Sequence, residues 1–141
     1  MSNFIKLYLL SSLSLSFLNA DTTKFGLGSC LDQDYPQPIW EAIKKEDLDY
    51  FVFLGDNVYG DLPSGSLRKM ADAYKKQKNN FPEWMKNVEI LSIWDDHDYG
   101  LNDAGSEYLL KRQSQEIYLN FWEIPLDDDR HIRDGIYFSE E

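Results

Sequence analysis

The chain has 141 residues, of which 43% are hydrophobic, 28% charged and 15% aromatic, the make-up of one globular domain and not of a disordered or fibrous chain. Twenty-five acids against 14 bases leave a net charge of −11, which argues against stable association with nucleic acid or an anionic membrane surface. The single cysteine, Cys30, excludes an intramolecular disulfide framework and an all-cysteine zinc cluster.

In chain order, residues 1–20 read as a secretory signal peptide, because Lys6 precedes an apolar, serine-rich run at 7–18 and Ala20 closes a cleavage site. A run of about 12 residues is too short to span a bilayer, which takes about 20. Export to a periplasmic or extracellular destination follows, and removing Lys6 with no acid moves the net charge from −11 to −12. Residues 21–141 then alternate short apolar runs with amphipathic stretches of helix length, in the order βαβαβα. The first strand is predicted over 24–29, followed by a helix from about Pro38 that carries Ile39, Trp40 and Ile43 on one face. Strand two is 50–54. Ser66 is placed to cap a helix bearing Leu67, Met70 and Tyr74, and a short helix near Pro82 turns Trp84, Met85 and Val88 inward. Strand three is 90–94, a long helix runs over 106–122 with Leu110, Ile117, Tyr118 and Phe121 inward, and an extended piece follows at 135–138. His131, in the run Asp127-Asp128-Asp129-Arg130-His131, reads as a solvated turn residue. Strands apolar on both faces and joined by helices predict an α/β fold with a buried, mainly parallel sheet.

The chemistry stands directly after each strand. Strand one ends in Gly28-Ser29-Cys30, strand two runs into Gly55-Asp56-Asn57-Val58-Tyr59-Gly60-Asp61, and strand three into Asp95-Asp96-His97-Asp98-Tyr99-Gly100-Leu101-Asn102-Asp103. In a parallel sheet these ends share one edge, where α/β proteins bind ligands. Asp56, Asp61, Asp95, Asp96, Asp98 and Asp103 would bring six carboxylates together with an imidazole, a thiol and a phenol. Like charges at such spacing raise one another's pKa unless a cation lies among them, so one or more metal ions are the economical solution. The plainer alternative is that Asp, Asn and Gly are ordinary turn residues fanned into water.

An apolar strand followed by Gly-Asp-x-x-Tyr, then a strand followed by acid-His-acid, resembles the calcineurin-like metallophosphoesterase superfamily. Within it the match is to the PhoD-like (alkaline phosphatase D) phosphatases and phosphodiesterases. The carrying segments are 28–30, Phe53-Leu54-Gly55-Asp56-Asn57-Val58-Tyr59-Gly60-Asp61 and Ile93-Trp94-Asp95-Asp96-His97-Asp98-Tyr99-Gly100-Leu101-Asn102-Asp103, with weaker likeness at 121–125 and 133–137. The resemblance implies a phosphoric ester hydrolase acting through a metal-activated hydroxide on a phosphate-ester substrate. It implies Asp56 as a carboxylate bridging two cations, Tyr59 and Cys30 as further ligands of the first, and Asp96 as a ligand of the second. A tyrosinate ligand favours iron(III), here paired with calcium, with other divalent metals as alternatives. His97 is the implied proton donor to the leaving oxygen, with Asp98 beside it as a catalytic or orienting carboxylate and Asp95 as another candidate.

The family pattern also contains a Gly-Asp-x-His segment and a later histidine segment, and neither occurs in this sequence. A physical argument points the same way: three sequential parallel strands with right-handed crossovers carry all their helices on one face. The opposite apolar face would be bare. The expectation is therefore that 21–141 form the amino-terminal part of a two-sheet α/β/β/α sandwich, inactive without its carboxy-terminal half. The alternative is a non-catalytic secreted metal-binding or interaction domain that retains half of such a site.

Overall fold

The computed structural model describes residues 22–139, and the expected signal peptide at 1–20 lies outside them. Strands β1 (Phe25–Gly28), β2 (Tyr50–Leu54) and β3 (Glu89–Ile93) form a three-stranded parallel sheet in the order β1-β2-β3. Between and after them come helices α1 (Ile39–Ile43), α2 (Met70–Asn80), α3 (Asp96–Tyr99) and α4 (Lys111–Phe121), with 3-10 turns at Lys44–Glu46, Glu83–Asn87 and Asp129–His131. The mixed α/β class and the parallel pairing are as expected. Among the described residues no helix is long and apolar enough to cross a membrane.

The two faces of the sheet differ sharply. Phe51 and Phe53 of β2 point to one side, are 4% and 2% exposed, and pack with Trp40 and Met85. Phe81 and Trp122 complete that aromatic layer, with ring centroids 5.5 Å and 5.0 Å from Phe53. Gly28 pairs with Phe53 in register, and a Cβ there would meet the Phe51 ring at 2.9 Å, so the β1 edge stays close only because the position lacks a side chain. On the other side the register aligns Phe25 with Tyr50, Leu27 with Val52 and Leu54 with Ile93. There Phe25, Leu27, Leu54 and Ile93 are 54%, 65%, 47% and 44% exposed. One face is packed and the other is open, as the crossover argument requires.

A second core of Val58, Met70, Ala73, Tyr74, Tyr118, Leu119 and Ile136 lies between the loop after β2 and helices α2 and α4. Element boundaries differ from expectation where local signals were ambiguous. Helix α2 begins at Met70 behind Lys69 and has no side-chain cap, since Ser66 Oγ accepts only from Arg68 N at 3.5 Å. The Pro82 segment is a 3-10 turn, α4 starts at Lys111 instead of 106, and 135–138 carry no strand pairing. Ile39, expected inward, is 53% exposed.

His131 is also not solvated: its side chain is 9% exposed, with Nε2 3.2 Å from the Ile124 carbonyl and Nδ1 3.6 Å from Glu116. Helix α4 explains this. Gln115 donates to the carbonyls of Arg130 at 2.6 Å and Arg133 at 2.9 Å, and Arg112 donates to those of Arg133 and His131. These bonds fold the acidic loop back onto the helix.

Candidate metal centre

The three strand ends converge, and the backbone there is strained where the chemistry is richest. Cys30 and Asp56 both adopt left-handed conformations, with φ of 58° and 52°, each costing about 1–3 kcal/mol for a residue with a side chain. Hydrogen bonds between the two turns hold them, Cys30 N to the Gly55 carbonyl at 3.3 Å and Leu31 N to the Asp56 carbonyl at 2.8 Å. As a result Cys30 Sγ lies 3.6 Å from Asp56 Oδ2, and Tyr59 donates its hydroxyl to the same oxygen at 3.1 Å. Asp56, Asp96 and His97 also place ligand atoms within 4.8 Å of one another, a group that could hold a metal ion. Asp56 therefore has a thiol, a phenol, a carboxylate and an imidazole as neighbours.

Each neighbour is oriented by a further contact. Asp61 Oδ1 lies 2.7 Å from His97 Nδ1, and the imidazole tilts over the Tyr59 ring at 4.3 Å between centroids. Burial alone would lower the His97 pKa, but the hydrogen bond and charge of Asp61, together with Asp56 and Asp96, outweigh it and raise it above the ordinary value. Asp96 accepts from Asp103 N at 2.6 Å and from His97 N at 2.9 Å, and the Asp103 bond is the main reason its pKa is lowered. Tyr59 is pushed above the ordinary phenol value, first by burial and then by its hydrogen bond with Cys30 and the charge of Asp56. Its backbone is fixed by the buried Gln33 amide, which accepts from Tyr59 N at 2.8 Å and donates to Tyr59 O at 3.2 Å.

Of the residues singled out in the sequence, Cys30, Asp56, Tyr59, Asp96 and His97 come together. Asp98 does not join them: it is fully buried and accepts from Asn57, Asp95 and Tyr74, while the contact that orients His97 belongs to Asp61. The reason is helical. Residues 96–99 form the single turn α3, which carries the Asp98 carboxylate back toward Asp95 as half of a capping box and away from the His97 ring. Asp95 caps that turn through its own side chain. Asp61, Asn57 and Gln33 were not assigned roles from sequence, although Asp61 stood among the six carboxylates expected at this edge. Asn102 and Asp103 form an outer ring, their amides donating to Asp61 at 3.3 Å and Asp96 at 2.6 Å.

Cavities of about 350 Å³ flank the cluster, one lined by Tyr59, Asp61, Lys69 and Lys76, the other by Trp94, Asp96 and Tyr99. A more apolar one of about 410 Å³, lined by Phe81, Met85, Phe121 and Trp122, contains none of these groups. The donor set fits a bound cation on two counts. Asp56 Oδ1 is buried with no hydrogen-bond partner, a costly state for a carboxylate oxygen unless something positive faces it. The groups converging on Asp56 Oδ2, a thiol and a phenol, become ligands by losing their protons. No protein-family model, no curated protein and no solved structure matches the chain.

Proposed function

We propose that the protein is an exported metal-dependent phosphoesterase of PhoD-like type, and that residues 21–141 form the amino-terminal part of its catalytic domain. The observation that carries this reading is the placement of Asp56, with Cys30 and Tyr59 on one oxygen, an unpartnered second oxygen, and Asp96 with His97 alongside. Cys30, Tyr59 and Asp56 would hold one cation, iron(III) by the preference of a tyrosinate, and Asp56 and Asp96 a second, calcium or another divalent ion. Bound there, the cations supply positive charge for phosphoryl oxygens and lower the pKa of a water. In an acidic protein, that local charge is what allows an anionic ester to approach.

The chain's own residues then orient and protonate. His97, held by Asp61 and raised in pKa, is suited to donate a proton to the leaving oxygen. The open apolar sheet face supports a complementary second sheet, which would also bring the histidine ligands that this sequence lacks. The same open face would serve a non-catalytic interaction domain, so metal chemistry has to decide between the two.

The test is metal uptake. The complete enzyme, carboxy-terminal half included, loaded with iron(III) and calcium is expected to retain both, to show the colour of a ferric tyrosinate, and to lose that colour in Tyr59→Phe. Asp56→Asn is expected to retain neither ion, measured by elemental analysis after gel filtration. Full metal retention by Asp56→Asn in the complete enzyme refutes the bridging role, and a complete wild-type enzyme that binds no metal refutes the phosphoesterase reading.

A further inference from the structure

The proposed centre leaves the buried carboxyl group of Asp98 unused. Asp98 is 0% exposed, and among its hydrogen-bond partners there is no basic side chain. Donors from three parts of the chain converge on it instead: Asn57 N reaches both oxygens at 3.1 Å, Asn57 Nδ2 reaches Oδ2 at 3.1 Å, Asp95 N lies at 3.2 Å, and the Tyr74 hydroxyl at 2.9 Å. Burying a carboxylate is unfavourable unless its oxygens are satisfied, and here buried donors fill both, which an apolar side chain would leave unpaired. What the carboxylate does that an apolar side chain could not is join two particular points of the backbone.

Those points are the two sides of the candidate site. Asn57 follows Asp56 directly, and Asp98 sits on the same single helical turn as Asp96 and His97. Asn57 Nδ2 also donates to the Ile93 carbonyl at 3.0 Å, which ties the end of β3 into the same junction. A turn of four residues has no orientation of its own in water, and the Gly55–Asp56 corner is backbone in left-handed conformation. The junction of Asn57 and Asp98 thus joins, with the β2–β3 pairing and the Asp61–His97 contact, in setting the spacing between Asp56 and the Asp96–His97 pair.

Resting on the metal-centre reading, we infer that Asp98 is a positioning residue, whose buried hydrogen bonds to Asn57 hold Asp96 and His97 at the separation from Asp56 that a second cation needs. The Cys30–Asp56–Tyr59 side has supports of its own, in the bonds between the turns after β1 and β2 and in the Gln33 amide on the Tyr59 backbone, and so depends on Asp98 less.

The experiment is a cobalt(II) titration of the complete enzyme, carboxy-terminal half included, followed by absorbance. Wild-type protein is expected to take up two equivalents, one with a thiolate-to-cobalt charge-transfer band from Cys30 and one without. Asp98→Asn is expected to keep the first equivalent and its band unchanged while the second weakens by at least about tenfold, the size typical of lost outer-shell support. Asn57→Ala, which retains Asp98 and removes the side-chain bridge, is expected to weaken the second equivalent selectively as well, and it decides the matter if Asp98→Asn fails to fold. Wild-type affinity for both equivalents in either folded variant overturns the inference. So does a parallel loss of both equivalents, which would mark a general structural role. Wild-type protein that binds no cobalt overturns the metal-centre reading itself and this inference with it.

Discussion

Asp61→Asn isolates the contact that orients the imidazole. The Asp61 and His97 side chains are 12% and 22% exposed and meet at 2.7 Å, so their hydrogen bond is charge-assisted and largely shielded from water. Such a bond contributes about 1.5–3 kcal/mol, and because asparagine keeps an acceptor oxygen the expected loss is roughly 1–2 kcal/mol. The pH dependence has a definite sign. The folded-state pKa of His97 is raised, so the stabilisation is fully present below the ordinary histidine value of 6.5 and is lost as pH rises through the folded value. Urea unfolding of metal-free protein should therefore show the wild-type advantage in full near about pH 5.5, and a smaller one in alkali. Proton NMR gives the direct readout, because the chain has only two histidines. The His97 titration should move to lower pH in Asp61→Asn. An unchanged His97 titration would show that Asp61 does not face the ring and would remove its orienting role.

Two further substitutions test the scaffold. Phe53→Ala empties a position that is 2% exposed beneath Trp40, Phe81 and Trp122 and should cost about 3–5 kcal/mol in equilibrium urea unfolding. The adjacent Leu54→Thr, on the face where Leu54 is 47% exposed, should cost under about 1 kcal/mol. Equal costs would mean that the open face is buried in solution. Gly55→Ala should lower the thermal midpoint, because φ is +98° and the new Cβ would sit 2.5 Å from Asp95 Cβ. The left-handed conformation alone costs roughly 1–3 kcal/mol. Wild-type stability of that variant would contradict the packing of the β2 turn against the β3 end.

Much of the architecture was legible in the residue order because it depends on properties each segment carries alone. The apolar runs at 50–54 and around 90 form strands wherever they pack, and chain connectivity then dictates parallel pairing and helices on one side. The placement of Cys30, Asp56, Tyr59, Asp96 and His97 at one edge follows from the same rule, since each stands just beyond a strand. Partner choice within that edge was not legible. Several acids lie in two short loops, and nothing in their spacing distinguishes Asp61, which meets His97, from Asp98, which turns inward to Asn57. That outcome depends on one turn of helix at 96–99, too short to produce a periodic signal, and on left-handed backbone at Cys30 and Asp56. His131 shows the same division. Its acidic neighbourhood suggested solvent, and Arg112 and Gln115, some 15 to 20 residues earlier, drew its loop onto α4. Segment-local hydrophobicity thus settled the sheet and its edge, while side-chain pairing across that edge was decided by contacts between residues remote in the chain, for which a linear pattern holds no geometric information.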